Sequence, residues 1–280
     1  MIRRILFATV FTAAVGMSAA ATASAQTNVS PTLSAGLGSF YTDRYTPPVF
    51  TLQNGVAGRN NVLQIGVNST SDFANRSGGY QSTFYNTQGE KTNVNTAGSW
   101  FFESDLFVNQ SWMDNANGFV RTDIWATATD DVAFTDPSAY PIIGFTNYGG
   151  AARFRGYDVN TGLWIDFANA VNAGSWNTLM MAFNAVTNTF SYSVNGSVAG
   201  SVVGANPTTG VGNVMYQAYN FNDPAYASGN PAFTADWSNT PAGGPAEVVP
   251  EPASMTLLAT GLAGMAAAAR RRKRSSKVPS

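Results

Sequence analysis

The sequence predicts an all-β protein: an antiparallel β-sandwich of the jelly-roll type, flanked by an N-terminal signal helix and a single C-terminal transmembrane helix. Three observations lead to this prediction. Runs of alternating apolar and polar residues recur through the middle of the chain and are separated by Asn-Gly and Gly-rich turns. The 280 residues include 27 glycines and 12% aromatic residues but only 11% charged residues, well below the usual level of about 25%. Each end carries an uncharged apolar segment next to arginines.

The N-terminal segment has the three parts of a secretory signal peptide. A pair of arginines opens it, an apolar run follows, and its small residues end in the A-x-A pattern of Ala23 and Ala25. This arrangement predicts export by the Sec route and cleavage between Ala25 and Gln26. A first transmembrane helix is the alternative, but the apolar run is short for one. Residues 1–25 are therefore interpreted as a signal peptide.

Five runs in the predicted domain, residues 26–240, have the period-two alternation of half-buried strands. Their apolar positions are Trp100, Phe102, Leu106 and Val108; Val120, Ile124 and Ala126; Leu163, Ile165 and Phe167; Leu179, Met181 and Phe183; and Phe190, Tyr192 and Val194. Asn195-Gly196 follows the last run and suits a type I′ turn, in which both central residues need positive φ. Many short strands at such spacing predict a sandwich or jelly roll.

The segment from Gly174 to Gly196 resembles a hairpin of the concanavalin A-like sandwiches, which include laminin-G-like domains and legume lectins. It begins Gly-Ser-Trp, continues with alternating apolar residues and a polar loop, and ends in a strand followed by Asn-Gly. The resemblance implies the fold but no ligand, because one fold hosts many functions. Trp176 is predicted to be buried in the sandwich.

The C-terminal segment has three parts in a fixed order. They are Pro250-Glu251-Pro252, the uncharged residues 253–269, and a basic cluster over residues 270–274 that includes Arg270, Arg271 and Arg272. As a helix, the middle part would extend about 25 Å, slightly less than a hydrocarbon core of about 30 Å. The positive-inside rule places the basic cluster in the cytoplasm and the rest of the chain outside. Residues 241–249 are interpreted as an extended linker.

This three-part order over residues 250–274 resembles the PEP-CTERM sorting signal. The resemblance implies a Gram-negative bacterium that makes exopolysaccharide or biofilm matrix, and a membrane-embedded exosortase that processes the tail near Pro-Glu-Pro. Pro250, Glu251 and Pro252 would then be substrate residues of the exosortase. The tail family is also labelled after an ice-binding protein, which implies nothing about ice here because the sequence lacks regular Thr-x-Thr arrays. A permanent tail anchor is the alternative.

Composition excludes several kinds of site. The chain has no cysteine and no histidine, which excludes disulfides, thiolate and imidazole metal sites, and the Ser-His-Asp triad. Between the two ends, seven Lys and Arg residues stand against fifteen Asp and Glu, a net charge near −8. An acidic domain without a basic patch argues against nucleic acid as a partner.

Candidate catalytic carboxylates are few. Glu103 and Asp105 lie two apart in one predicted strand and therefore on one face. The retaining glucanases of the same sandwich have a second glutamate where this chain has Phe107. No catalytic residue is therefore predicted, and the protein is expected not to be an enzyme. A glycan-active hydrolase or lyase, with Asp-based pairs brought together by folding, is the alternative.

One loop and one strand provide candidate ligand sites. Asp130, Asp131 and Asp136 would supply oxygen ligands to Ca²⁺, although Asp also occupies turns through hydrogen bonds to its own backbone. No other cofactor is predicted. Trp164 lies opposite the apolar positions of its strand and is the candidate for stacking on sugars.

Together these features predict an exported, exosortase-sorted surface or matrix protein whose domain is carbohydrate-binding or purely structural. The C-terminal helix would anchor it transiently in the inner membrane, before processing leaves it at the cell surface or outside the cell. Its expected partners are the exosortase and exopolysaccharide.

Overall fold

The computed structural model describes residues 25–226 and 232–239. In chain order the strands are β1 (Thr27–Asn28), β2 (Tyr41–Thr42), β3 (Val49–Gln53), β4 (Val62–Val67), β5 (Thr87–Ala97), β6 (Trp100–Val108), β7 (Arg121–Thr129), β8 (Pro137–Ala139), β9 (Ile142–Thr146), β10 (Arg153–Tyr157), β11 (Trp164–Asp166), β12 (Ser175–Asn184), β13 (Thr189–Val194), β14 (Ser197–Val203), β15 (Gly210–Tyr219) and β16 (Phe233–Ser238). Short 3₁₀ helices lie between them at Leu33–Ala35, Ser69–Ser71, Phe73–Asn75, Gly78–Tyr80, Thr83–Asn86, Gln110–Met113 and Asn115–Asn117.

The strands form two sheets of eight. Sheet I has the order β14-β13-β12-β6-β16-β4-β3, with β1 beside β6, and sheet II has the order β11-β10-β9-β7-β15-β5-β2, with β8 beside β7. The short β1–β6 pairing is parallel, and the other described pairings are antiparallel. The predicted all-β sandwich of two antiparallel sheets is confirmed.

The predicted signal helix, the linker and the apolar C-terminal helix lie outside the described residues, so these remain predictions. Within residues 25–226 and 232–239, no helix has the length and hydrophobicity needed to cross a membrane.

The core lies between the inner faces of the two sheets. On β6, Trp100 and Phe102 are fully buried while Glu103 is exposed, as period-two alternation requires. Tyr216 of sheet II packs against Phe102 and Trp237 of sheet I, with ring centroids 5.5 and 5.7 Å apart. Burial of such large rings supplies much of the hydrophobic free energy of folding, at about 25 cal/mol per Å².

The hairpin of β12 and β13 is confirmed, as is the Asn195-Gly196 turn, which connects β13 to β14. Asn195 has φ 51° and Gly196 has φ 75°, which are the two positive values that a type I′ turn needs.

The predicted burial of Trp176 is wrong. Leu179 and Met181 of β12 face the core, so alternation places Trp176 on the outer face of sheet I. There it is half-buried, 5.4 Å from the Phe107 ring and 4.3 Å from the Arg59 guanidinium.

The inward placement of Leu163 is also wrong. Leu163 is 66% exposed because β11 begins only at Trp164, so Leu163 belongs to the preceding turn rather than to the alternating strand.

Candidate functional site

A groove of about 1020 Å³ lies on the outer face of sheet II. Its floor contains Trp125 of β7, Ile142 of β9 and Met215 of β15, which are cross-strand neighbours. Tyr157 and Trp164, which pair across β10 and β11, pack against this cluster and continue the row. Residues in register on neighbouring strands point to the same face of a sheet, so pairing builds one continuous apolar surface that includes three aromatic rings.

Loops form the walls of the groove. Phe84 and Tyr140 line it and are 56% and 46% exposed. Phe134 and Thr135 line it from the loop over residues 130–136. Phe134 has φ 59°, a left-handed conformation that is uncommon for a residue with a large side chain. Exposed rings around a concave surface are typical of ligand-binding sites.

A second row, next to the aromatic one, is polar. Arg155, Gly144, Asp123 and Gln217 follow one another across β10, β9, β7 and β15. Asp123 is 1% exposed and accepts hydrogen bonds from Arg121 Nε at 2.7 Å and from Gln217 Nε2 at 3.3 Å. Such partners are what make burial of a carboxylate tolerable.

Five of the seven Lys and Arg residues between the chain ends lie on this face of sheet II: Arg44, Lys91, Arg121, Arg153 and Arg155. Three carboxylates accompany them, giving the ion pairs Asp43–Arg44 at 3.3 Å, Asp43–Lys91 at 2.9 Å, Asp123–Arg121 at 2.7 Å and Asp166–Arg153 at 2.8 Å. Among the residues that line the groove, Arg44, Lys91 and Arg121 are cationic and Asp43 is anionic, an excess of two positive groups in a domain that is acidic as a whole.

This concentration of cations corrects the inference that the domain has no basic patch. The cations lie far apart in sequence and are brought together by strand pairing. A local signal does exist. Arg121, Asp123 and Trp125 alternate on β7, and Arg153, Arg155 and Tyr157 alternate on β10, so each strand presents a polar and aromatic outer face.

Arg155 is the most buried of these cations, with 7% of its surface exposed, and its guanidinium lies 3.8 Å from the Trp164 ring centroid. Burial lowers the pKa of Arg155 to about 10, while the nearby Asp123 carboxylate acts in the opposite direction. The side chain is therefore still charged at neutral pH.

Four buried polar atoms of the two rows have no hydrogen-bond partner among the described residues. They are Asp123 Oδ1, Gln217 Oε1, Arg155 Nε and Trp125 Nε1. Buried polar atoms in folded proteins are nearly always hydrogen-bonded. Of these four residues, only Trp125 lines the groove, and the other three atoms lie buried beside it.

The structure places Trp164, predicted as a sugar-stacking residue, in the groove, half-buried between Tyr157 and the arginines. It places the Asp130–Asp136 loop at the rim. Glu103 and Asp105 lie elsewhere, on the outer face of sheet I, where Asp105 forms an ion pair with Arg59.

The carboxylate of Asp131 has a structural role in its loop. It accepts hydrogen bonds from the Thr135 backbone at 2.9 Å, the Thr135 hydroxyl at 2.8 Å and the Asp136 backbone at 3.1 Å. Desolvation raises the pKa of Asp131, but these bonds outweigh it and hold the pKa below its ordinary value. In the described part of the chain, no three His, Cys, Asp or Glu side chains gather as a metal site would require. Calcium binding by Asp130, Asp131 and Asp136 stays a prediction.

The residues of the predicted processing sites fall mostly outside the described part of the chain. Ala23, Pro250, Glu251, Pro252, Arg270, Arg271 and Arg272 lie there. Ala25 and Gln26 are described, and Gln26 Nε2 donates a hydrogen bond to the Phe183 carbonyl at 3.3 Å. β1 begins at the next residue, so the predicted cleavage would leave the domain complete.

The C-terminal residues identify a sorting route. Residues 248–273 match the PEP-CTERM protein-sorting motif. The predicted resemblance is thereby confirmed. The PEP-CTERM motif implies export, processing by an exosortase and sorting to the cell surface. No curated protein matches the chain significantly.

Solved structures share the sandwich weakly. A β-glucanase from Bacillus licheniformis is 14% identical, with 71% of this chain and 89% of that chain covered and a TM-score of 0.39. A carbohydrate-binding module from Bacillus subtilis is 9% identical, with coverage of 70% and 95% and a TM-score of 0.36. A sialidase is 12% identical with a TM-score of 0.43; the match covers 72% of this chain but spans only 16% of the sialidase.

Proposed function

We propose that this protein is an exported surface or matrix protein, sorted through its PEP-CTERM motif, whose sandwich domain is a non-catalytic carbohydrate-binding module. The binding site is the groove on sheet II. The observation that carries the proposal is the aromatic row of Trp125, Tyr157 and Trp164 in an open groove, whose lining also includes the polar side chains of Arg44 and Asn213. Aromatic rings stack on the C–H faces of sugars, and polar side chains that line a groove bind hydroxyl groups.

The carboxylates of the groove favour binding over hydrolysis. A glycosidase needs two carboxyl groups, about 5–5.5 Å apart in retaining enzymes and about 6.5–9.5 Å apart in inverting ones. Asp43 is the single carboxylate among the described lining residues, and both Arg44 and Lys91 pair with it. Asp123 lies beneath the surface and is paired with Arg121.

The sorting motif and the groove support the same role. Export followed by exosortase processing would leave the domain outside the cell, where it could contact extracellular polysaccharide. A domain with an open, aromatic and polar face would there hold matrix polysaccharide or attach the protein to it.

A glycan array followed by calorimetric titration of the exported protein tests the proposal. Trp164→Ala should weaken binding of the glycan found on the array by about tenfold or more, because it removes a stacking ring. It should leave folding intact, since Trp164 is half-buried on the short edge strand β11. Trp176→Ala is the matched control. Trp176 is also half-buried and stacked by an arginine, but it lies on the outer face of sheet I.

Two results would refute the proposal. If the folded protein binds no glycan, the domain is a structural matrix component instead. If it releases reducing sugar or unsaturated product from the glycan, and Trp164→Ala abolishes that release, the groove is an enzyme active site.

A further inference from the structure

We propose that the groove selects an acidic saccharide and holds one of its anionic groups, a carboxylate or a sulfate ester, between the guanidinium groups of Arg44 and Arg121. This inference rests on the proposed function, because it assigns a substrate class to the same groove.

Arg44 and Arg121 each pair with an aspartate through Nε, which leaves the terminal guanidinium nitrogens for other partners. Arg44 Nε lies 3.3 Å from the Asp43 carboxylate, and Arg121 Nε lies 2.7 Å from the Asp123 carboxylate. Within the part of the chain that the structure describes, the terminal nitrogens of both guanidinium groups make no hydrogen bond. Both side chains line the groove. Free terminal nitrogens of arginine are the atoms that form paired hydrogen bonds with carboxylate or sulfate oxygens.

Aromatic rings fix both guanidinium groups in place. The Arg44 guanidinium lies 3.9 Å from the Phe84 centroid and 4.9 Å from that of Trp125. The Arg121 guanidinium lies 4.7 Å from the Trp164 centroid and 4.9 Å from that of Tyr219. Because stacking already restricts these side chains, little conformational entropy remains to be lost when an anion binds.

The carboxylates on this face do not neutralise the arginines. Asp43 is shared between Arg44 and Lys91, and Asp123 is paired with Arg121 while it also faces the field of Arg155. Each group thus has two cations and one carboxylate, which leaves a net positive charge at both.

The two arginines also repel each other. Burial lowers the pKa of Arg44, the Asp43 carboxylate raises it, and the positive charge of Arg121 lowers it further. A bound anion between the two would relieve this repulsion, whereas a neutral sugar would leave it in place.

Arg59, in the loop between β3 and β4, is an arginine whose charge is neutralised by an ion pair. Its guanidinium also stacks on a tryptophan, 4.3 Å from the Trp176 centroid, but it forms an ion pair with Asp105. Stacking of arginine on tryptophan therefore occurs on both sheets, and the excess of positive charge distinguishes the groove.

The test is titration of the exported protein with three oligosaccharides of equal length: an oligogalacturonate, a neutral cello-oligosaccharide and a sulfated dextran. A single-stranded DNA oligonucleotide with the same net charge as the oligogalacturonate is a fourth probe. The variants are Arg44→Gln and Arg44→Lys, with Arg59→Gln as the matched control. Arg44 is the better target because Lys91 still pairs with Asp43 after the substitution, so the variant should fold. Thermal unfolding of each variant checks this.

We expect the acidic saccharides to bind more tightly than the neutral one, and we expect added salt to weaken the binding of the acidic saccharides. Arg44→Gln should reduce this binding by about tenfold or more, as expected for loss of a charge-assisted hydrogen-bonded pair. Arg44→Lys should reduce it by less, and Arg59→Gln should change it less than twofold. The oligogalacturonate and the sulfated dextran identify which anionic group the groove prefers.

Three outcomes would overturn the inference. Equal binding of neutral and acidic saccharide, insensitive to Arg44→Gln, would remove the acidic preference but leave the groove as a saccharide site. Binding of the DNA oligonucleotide alone would make the groove a nucleic-acid site. Failure of all three saccharides to bind would overturn the inference, and the proposed function would fall with it only if the glycan array also showed no binding.

Discussion

Gly144 of β9 lies between Arg155 and Asp123 in the polar row, and its substitution by alanine gives a sharp test of how this face is built. The added methyl carbon would lie 2.7 Å from the Asp123 Cα and nearer still to Asp123 Oδ1 and the Thr122 carbonyl oxygen. Cβ atoms in proteins essentially never approach other heavy atoms within 3.0 Å. Two of these three atoms belong to the backbone of β7, which pairs on both sides with β9 and β15 and cannot shift alone.

Overpacking of this kind destabilises a protein by about 1–3 kcal/mol. Because backbone atoms block the methyl group, we expect Gly144→Ala to lower the free energy of unfolding by about 3 kcal/mol. For a domain of this size, each kcal/mol lowers Tm by about 2–4 °C, so the predicted fall is about 6–12 °C. Circular dichroism during thermal unfolding measures it.

Gly38→Ala is the control for Gly144→Ala. An added Cβ at Gly38 meets no atom within 4 Å, and its backbone is not left-handed. This variant should stay within about 0.5 kcal/mol of wild type. If Gly144→Ala shifted Tm no more than Gly38→Ala does, the packing argument for the polar row would be wrong.

Three further predictions concern other parts of the chain. Burial raises the pKa of Asp236, although a hydrogen bond from Gln64 lowers it, so the folded state gains stability as pH falls towards that pKa. Asp236→Asn should therefore raise Tm at neutral pH and reduce the increase in Tm on acidification. Identical pH profiles of Tm for the variant and wild type would contradict this. Asp131→Ala should lower Tm equally in EDTA and in calcium, because it removes hydrogen bonds within the loop; a calcium-dependent difference would instead support a metal site. Serine at residues 270–274 should leave a protease-resistant domain that is missorted, since the charges that orient the tail are lost; unchanged location and processing in cell fractions would refute the sorting argument.

Alternation along the chain predicts which face of a strand is buried, and it succeeds where only one face is apolar. β13 is such a strand, with Phe190 and Tyr192 on one side and Thr or Ser on the other. β12 has apolar residues on both faces. The size of Trp176 suggested the core, whereas the register of Leu179 and Met181 placed it outside.

The groove could be predicted only in fragments. Alternation places Trp164 opposite the inward face of its strand, and the structure confirms that it lies on the outer surface of sheet II. Alternation cannot reveal that Trp125 and Met215 lie in the same row as Trp164, because the order and register of strands depend on pairing between distant segments. The concentration of cations on this face was not predicted for the same reason, since Arg44 and Arg121 come near each other only after the sheet has formed.

The position of β16 ties completion of the fold to the order in which the chain crosses the membrane. This last described strand is inserted between β4 and β6, and its Trp237 is fully buried. Until residues 233–238 have crossed the membrane, sheet I is split and two interior strand edges are unpaired, an arrangement that invites aggregation. Pairing across such a long sequence separation is also intrinsically slow. The sorting motif begins at residue 248, ten residues after β16 ends, so a chain processed there already contains the strand that completes sheet I.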